Sequence, residues 1–175
     1  MKNTALLVVD MQKALIDEQP INRNELIQNI NEMIDFCRLK NVDVIFVRHQ
    51  DNQEGSPLVK DTSGWQIYKE LHLNTHDKII DKKYNSAFYQ TDLKDYLISK
   101  SIENIILVGM QTEYCIDATC KSAFDLGYHV YLPKGFNSTF NSTYVKGEDI
   151  INMYNEEIWH GFADVIEFSD LKDRF

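Results

Sequence analysis

"ENIILVGMQTEYCIDATCKSAFDLGYHVYLP", residues 103–133, is the stretch on which the fold turns. It opens on "ENIILVGM", an unbroken apolar run of the kind found in strands covered on both faces. From about Ile116 to Leu126 the pattern is helical, and Gly127 is placed to end that helix in a left-handed cap. "YHVYLP" then reads as a strand again. Strand, helix and strand follow one another with no room for anything else between them.

Working outward, the same alternation continues in both directions. Upstream, "ALLVVD" (Ala5 to Asp10) is a second continuous apolar run. After it, Leu26, Ile27, Ile30, Met33, Ile34 and Cys37 recur at helical spacing, with Asn22 and Glu25 arranged as a capping box at the start. "VDVIFVRH" (Val42 to His49) is a strand, and a polar stretch with Gly55, Pro57 and Gly64 is loop. "DKIID" around Ile79 and Ile80 is a shorter strand, and "TDLKDYLISK" a helix through Leu93, Tyr96 and Leu97. Downstream, "GEDIINMYNEEIW" is helical and "ADVIEF" a last strand. This order predicts an α/β fold: one three-layer α/β/α domain over residues 1–175 around a mostly parallel sheet of about six strands.

Composition narrows the function classes. The chain has 175 residues, 43% hydrophobic and 26% charged, the mixture of a soluble globular domain. With 18 basic against 27 acidic residues the net charge is −9, and no basic cluster is present. Nucleic acid and anionic membrane are therefore not the expected partners. Met1-Lys2-Asn3 leads straight into "TALLVVD" without the pattern of an export signal, so the expected address is cytoplasmic. Cys37, Cys115 and Cys120 form no CxxC pair, which points to neither a disulfide framework nor a zinc site. The two "NST" sequences, at Asn137 and Asn141, read as polar loop.

In an open parallel sheet, ligands bind beyond the carboxyl ends of the strands, near the switch in strand order. Asp10 ends the first strand, His49 the second, and Gly109 to Cys115 follows the central one. Cys115 falls in the first turn of the next helix, where backbone N–H groups and the helix dipole favour a thiolate and a developing oxyanion. A cysteine nucleophile requires a base. Asp10 is the first candidate, because its strand is expected beside the central one, and His49 is the second. The adjacent Lys82 and Lys83 are either a solvated pair or a source of one buried ammonium; spacing alone leaves this open.

Taken together, "ALLVVDMQ", "KKYNSAFYQTDL", "IILVGMQTEYCIDATCKSAFDLGY" and the late "NSTF" resemble the isochorismatase-like cysteine hydrolases, a family that includes nicotinamidases and N-carbamoylsarcosine amidohydrolases. The third of these stretches is the most specific. The resemblance implies a triad of Asp10, Lys82 and Cys115, the lysine being the one four residues before the serine of "SAF". It also implies a cis peptide between Met110 and Gln111, with the N–H groups of Gln111 and Cys115 forming an oxyanion hole. Relatives commonly form dimers or tetramers, so a homodimer or homotetramer is expected.

Nicotinamidases of this family hold a metal through an Asp-x-His and a further histidine after the second strand. Here "FVRHQDNQEGSP" supplies His49 and Asp51 instead, and His72 and His76 are not at matching positions, so no metal and no other cofactor is expected. Gln12, Trp65, Tyr84, Phe88 and Tyr114 are candidate pocket side chains for a small-molecule substrate, with ordinary packing as the other reading of each. The expected activity is hydrolysis of a C–N bond in a small amide through a cysteine thioester. Vinyl-ether cleavage, which needs no cysteine, is the alternative. A receiver-like signalling domain also places an aspartate after its first strand, but "VVDMQKA" lacks the acidic cluster such a domain requires.

Overall fold

A computed structural model describes residues 3–175; residues 1 and 2, the start of the expected domain and of the lead-in sequence, lie outside the described residues. β1 (Thr4–Val9) is buried along its whole length, as its unbroken apolar sequence demands. It pairs in parallel with β2 (Asp43–His49) on one side and β4 (Asn104–Met110) on the other. β3 (Lys78–Lys82) extends the sheet beyond β2, while β5 (His129–Pro133) and β7 (Asp164–Ile166) extend it beyond β4. A two-residue β6 (Asn137–Ser138), absent from the sequence reading, pairs with the end of β4. The sheet thus has seven strands in the order β3-β2-β1-β4-β5-β7 with β6 alongside, and every pairing is parallel.

Alternation along each strand separates two cores. Leu6, Val8, Phe46 and Val108 face the side covered by α1 (Lys13–Asp17), α2 (Arg23–Leu39) and α6 (Phe168–Lys172). Leu7, Val9, Val47, Ile80 and Leu107 face the side covered by α3 (Leu93–Ser99) and α4 (Asp117–Asp125). Both faces of the sheet are therefore sealed, giving the three layers expected. Among the described residues no helix is long and apolar enough to cross a membrane.

Local signals succeeded where the chain had a single choice. Gly127 has φ +87°, its N–H donates to Phe124 O (2.9 Å), and the Tyr128 N–H donates to Ala123 O (3.0 Å), a Schellman ending of α4. The capping box did not form: Asn22 itself takes φ +53° and its side chain caps nothing. The last long helix begins as α5 (Gly147–Met153) and then widens into a π turn (Tyr154–Ile158) and a 3₁₀ turn (Trp159–Gly161).

The strand order fixes where a ligand can go. The chain runs outward from β1 to β3 and then returns to the opposite side of β1 as β4. The switch point lies between the carboxyl ends of β1 and β4, where neighbouring connections diverge and leave a crevice. The close approach of the two strands there is visible at Gly109: its φ is +119°, and a Cβ would stand 2.1 Å from the Val9 carbonyl oxygen. Only glycine fits this position.

Candidate active site

Four strand ends converge on the switch point. Asp10 follows β1 directly in the left-handed region (φ +54°), a conformation aspartate tolerates better than most residues, and its N–H is anchored on Val47 O at 2.8 Å. His49 and Lys82 close β2 and β3 as register partners. Both share the strand parity of Val47 and Ile80, so their side chains project on the α3/α4 side. After β4 comes the cis Met110–Gln111 peptide, and then a π turn (Thr112–Ile116) that carries Cys115 into α4. Cys115 is the fourth residue of that segment and so lies in the first turn after the strand, as expected, though the turn is a π turn and not an α turn.

Lys82 reaches across β2 to join the others. Its Nζ donates to Asp10 Oδ2 at 2.7 Å and to Cys115 Sγ at 3.1 Å, and lies 3.3 Å from His49 Nδ1. The lysine side chain is 0% exposed and that of Asp10 is 2% exposed. Strand parity also separates the two lysines that sequence alone left open: Lys82 points in, Lys83 is exposed. The second carboxylate oxygen, Asp10 Oδ1, is buried without a hydrogen-bond partner.

The electrostatics differ from the expectation in one respect. Burial pushes the Cys115 thiol up to about 12, the negative charge of Asp10 adding to this and Lys82 opposing it. The helix-terminus argument for a standing thiolate is thereby corrected: desolvation and a neighbouring carboxylate outweigh it, and the resting group is a thiol. Burial would lower Lys82, but Asp10 and Cys115 outweigh it and hold the amine above its ordinary value, as an ammonium. Burial and the Lys82 charge keep His49 below its ordinary value, so its imidazole is neutral. With Nδ1 turned to the ammonium, that nitrogen accepts and Nε2 carries the proton.

Asp10, His49 and Cys115 each offer a ligand atom within 4.8 Å of the other two, a spacing that suits a small cation. The Lys82 ammonium already occupies the space they share. A metal would need three or more converging ligands free of it. These residues do not fit a metal while Lys82 is in place.

A cavity of ≈ 200 Å³ opens onto the sulfur, with Asp10, His49, Gln111 and Cys115 in its wall. Asp51, Asn85 and Tyr114 complete the polar side, and Leu15 and Leu58 the apolar side. Of the pocket side chains expected from sequence, Tyr114 is there, 53% exposed at the rim. The others lie elsewhere. Gln12 is buried and clamps His49, accepting from its N–H (2.8 Å) while donating to His49 O (2.9 Å) and Trp65 O (2.8 Å). The Trp65 ring is buried beneath the Arg48 guanidinium, 3.6 Å from its centroid. Tyr84 packs edge-on against Tyr89, and Phe88 stacks on Tyr128. Asn85, whose Oδ1 is 3.9 Å from Cys115 Sγ, was missed; its only sequence signal was its place three residues after Lys82.

The isochorismatase domain family model matches residues 4–166 of this chain. Over 178 residues the chain is 27% identical to the isochorismatase family protein YrdC of Bacillus subtilis, covering 98% of this chain and 95% of that protein. It is 26% identical over 185 residues to Nicotinamidase 3 of Arabidopsis thaliana, covering 98% and 88% respectively. A crystal structure of an isochorismatase family protein superposes with a TM-score of 0.89 at 30% identity, over 95% of this chain and 99% of that one.

Proposed function

The chain belongs to the isochorismatase family of hydrolases, and from that premise we propose that it hydrolyses a C–N bond of a small amide through a thioester on Cys115. The observation that carries this reading is the convergence of Cys115 Sγ, the Asp10 carboxylate and the Lys82 ammonium, with Cys115 and Asp10 in the wall of one cavity and Lys82 buried behind them. The likeness to a nicotinamidase supports amide chemistry. At ≈ 200 Å³ the cavity is small against the roughly 300–1,000 Å³ of sites that take drug-sized ligands, which restricts the substrate to a small molecule.

Asp10 Oδ1 has an open lone pair and takes the thiol proton as the sulfur bonds to the carbonyl carbon. Because the resting thiol holds its proton tightly, transfer accompanies attack and does not precede substrate binding. The N–H groups of Gln111 and Cys115 receive the oxyanion, each such donor contributing about 10²–10³ in rate. Asp10 then protonates the departing nitrogen, and the C–N bond breaks to leave the thioester. A water gives its proton to Asp10 and attacks; the C–S bond breaks, and the sulfur regains the proton. Lys82 stays charged throughout and holds the carboxylate against the sulfur.

Acid quenching during turnover of a panel of small amides, nicotinamide included, followed by peptide mass spectrometry, is expected to find the acyl group on Cys115. Turnover with Cys115 unlabelled under single-turnover sampling, or with the label elsewhere, would overturn the thioester route.

A further inference from the structure

One acidic side chain in the cavity wall has no part in this chemistry. Asp51 stands two residues beyond β2, and the loop that follows folds back to hold it. Its N–H donates to Leu58 O at 3.1 Å, it forms a parallel bridge with Val59, and its Oδ2 accepts from Ser56 Oγ at 2.7 Å. Oδ1 lies 3.6 Å from His49 Nε2. Burial and the Lys82 charge hold the imidazole below its ordinary value against the opposing pull of Asp10 and Asp51, so this contact does not supply Asp51 with a standing cation.

Among the described residues no lysine or arginine is paired with Asp51. Lys82, the one ammonium nearby, is spent on Asp10. The cavity therefore presents two acidic groups, and only one of them has a cation. Arg48, next along the chain, points the other way, bonded through Nε to Asp81 at 2.8 Å and stacked on Trp65. The Asp51 side chain is 41% exposed, open to a ligand in the cavity and still partly desolvated.

Resting on the amide reading of this cavity, we infer that the substrate carries a cationic nitrogen, of the ammonium or amidinium class, which Asp51 binds while the scissile carbonyl sits on Cys115. A neutral amide lacks the pairing. An anionic one brings a like charge toward both Asp51 and Asp10, which an interface of this kind rejects. The imidazole, with Nδ1 against the Lys82 ammonium and Nε2 toward Asp51, stands between that ammonium and the substrate's cation.

The inference is testable without knowing the natural substrate. Three chloroacetamides of matched size alkylate Cys115, the sulfur bonding to the methylene carbon as chloride leaves with its electron pair and the thiol proton passes to solvent. They are N-(2-aminoethyl)-2-chloroacetamide, N-propyl-2-chloroacetamide and N-(2-chloroacetyl)-β-alanine, which are cationic, neutral and anionic. Rates are read by peptide mapping at Cys115, in enough salt to screen the net charge of −9. The cationic reagent is expected to react about ten- to a hundredfold faster than the neutral one, the range of a charge-assisted pair, and the anionic reagent slowest. Asp51→Asn is expected to bring the cationic-to-neutral ratio close to one, and Asp51→Glu to keep it well above one. Each ratio is internal to one variant, so changes in thiol reactivity cancel. A wild-type ratio near one, or a ratio unchanged in Asp51→Asn, overturns the inference. If the ratios behave as expected while no amide acylates Cys115, the hydrolase reading fails and the cation subsite stands. If a neutral or anionic amide acylates Cys115 in preference to its cationic counterpart, the hydrolase reading stands and this inference falls.

Discussion

Cys115→Ala is expected to lower kcat/KM toward amide substrates by about 10⁴-fold or more, while leaving the fold in place. In the proposed mechanism the sulfur is the atom that bonds to the carbonyl carbon. Without it, the oxyanion donors and the binding contacts retain only the small residual catalysis that such sites show when the nucleophile is removed. The stability cost is modest, about 1 kcal/mol, because one atom is lost at a site already 9% exposed beside a cavity. Steady-state kinetics and a thermal melt on the same preparation separate the two effects. Substantial retained activity would point to a reaction with no thioester, such as cleavage of a vinyl ether.

The parts of the site that were legible in the sequence are those fixed by strand physics. A short apolar run such as "ALLVVD" in a strand–helix alternation reads as a strand buried on both faces, and the residue ending such a strand lies at the sheet's rim. Asp10 and Cys115 were located that way, and the resemblance then selected Lys82. What could not be read depends on contacts distant in the chain. An aromatic residue is apolar whether it lines a cavity or fills a core, so nothing in the sequence distinguished Tyr114 from Phe88 or Trp65. The dipole argument for Cys115 was local, whereas the desolvation and the Asp10 charge that decide its protonation are tertiary. In the sequence, Asp51 reads only as part of an incomplete metal motif. That it has no lysine or arginine partner among the described residues depends on Arg48 turning toward Asp81, a contact between strands that the sequence does not display.

Lys82→Met tests the electrostatic core of the site, and its expected effect is large on stability as well as on activity. Methionine nearly preserves the volume but leaves the Asp10 carboxylate buried with no cation. Removing one member of a buried pair costs about 3–5 kcal/mol, because the other charge stays desolvated. In a domain of this size each kcal/mol shifts Tm by roughly 2–4 °C, so a fall of about 10 °C is expected. Lys83→Met, at an exposed position, should leave Tm within about 2 °C. Equal melting of the two variants would mean that the Asp10–Lys82 contact does not hold this site together. The pH dependence has a definite sign. The folded lysine is held above its ordinary 10.5, so its contribution is complete below that pH and is lost as pH rises through the higher folded value. The stability gap between wild type and Lys82→Met should therefore stay level from neutral pH to about 10 and narrow above it. The double variant Asp10→Asn/Lys82→Met removes both charges together and should recover much of the lost stability, since the penalty belongs to the orphaned carboxylate. On the proposed mechanism activity should stay absent in it, because no carboxylate remains to take the thiol proton and no ammonium remains beside the sulfur.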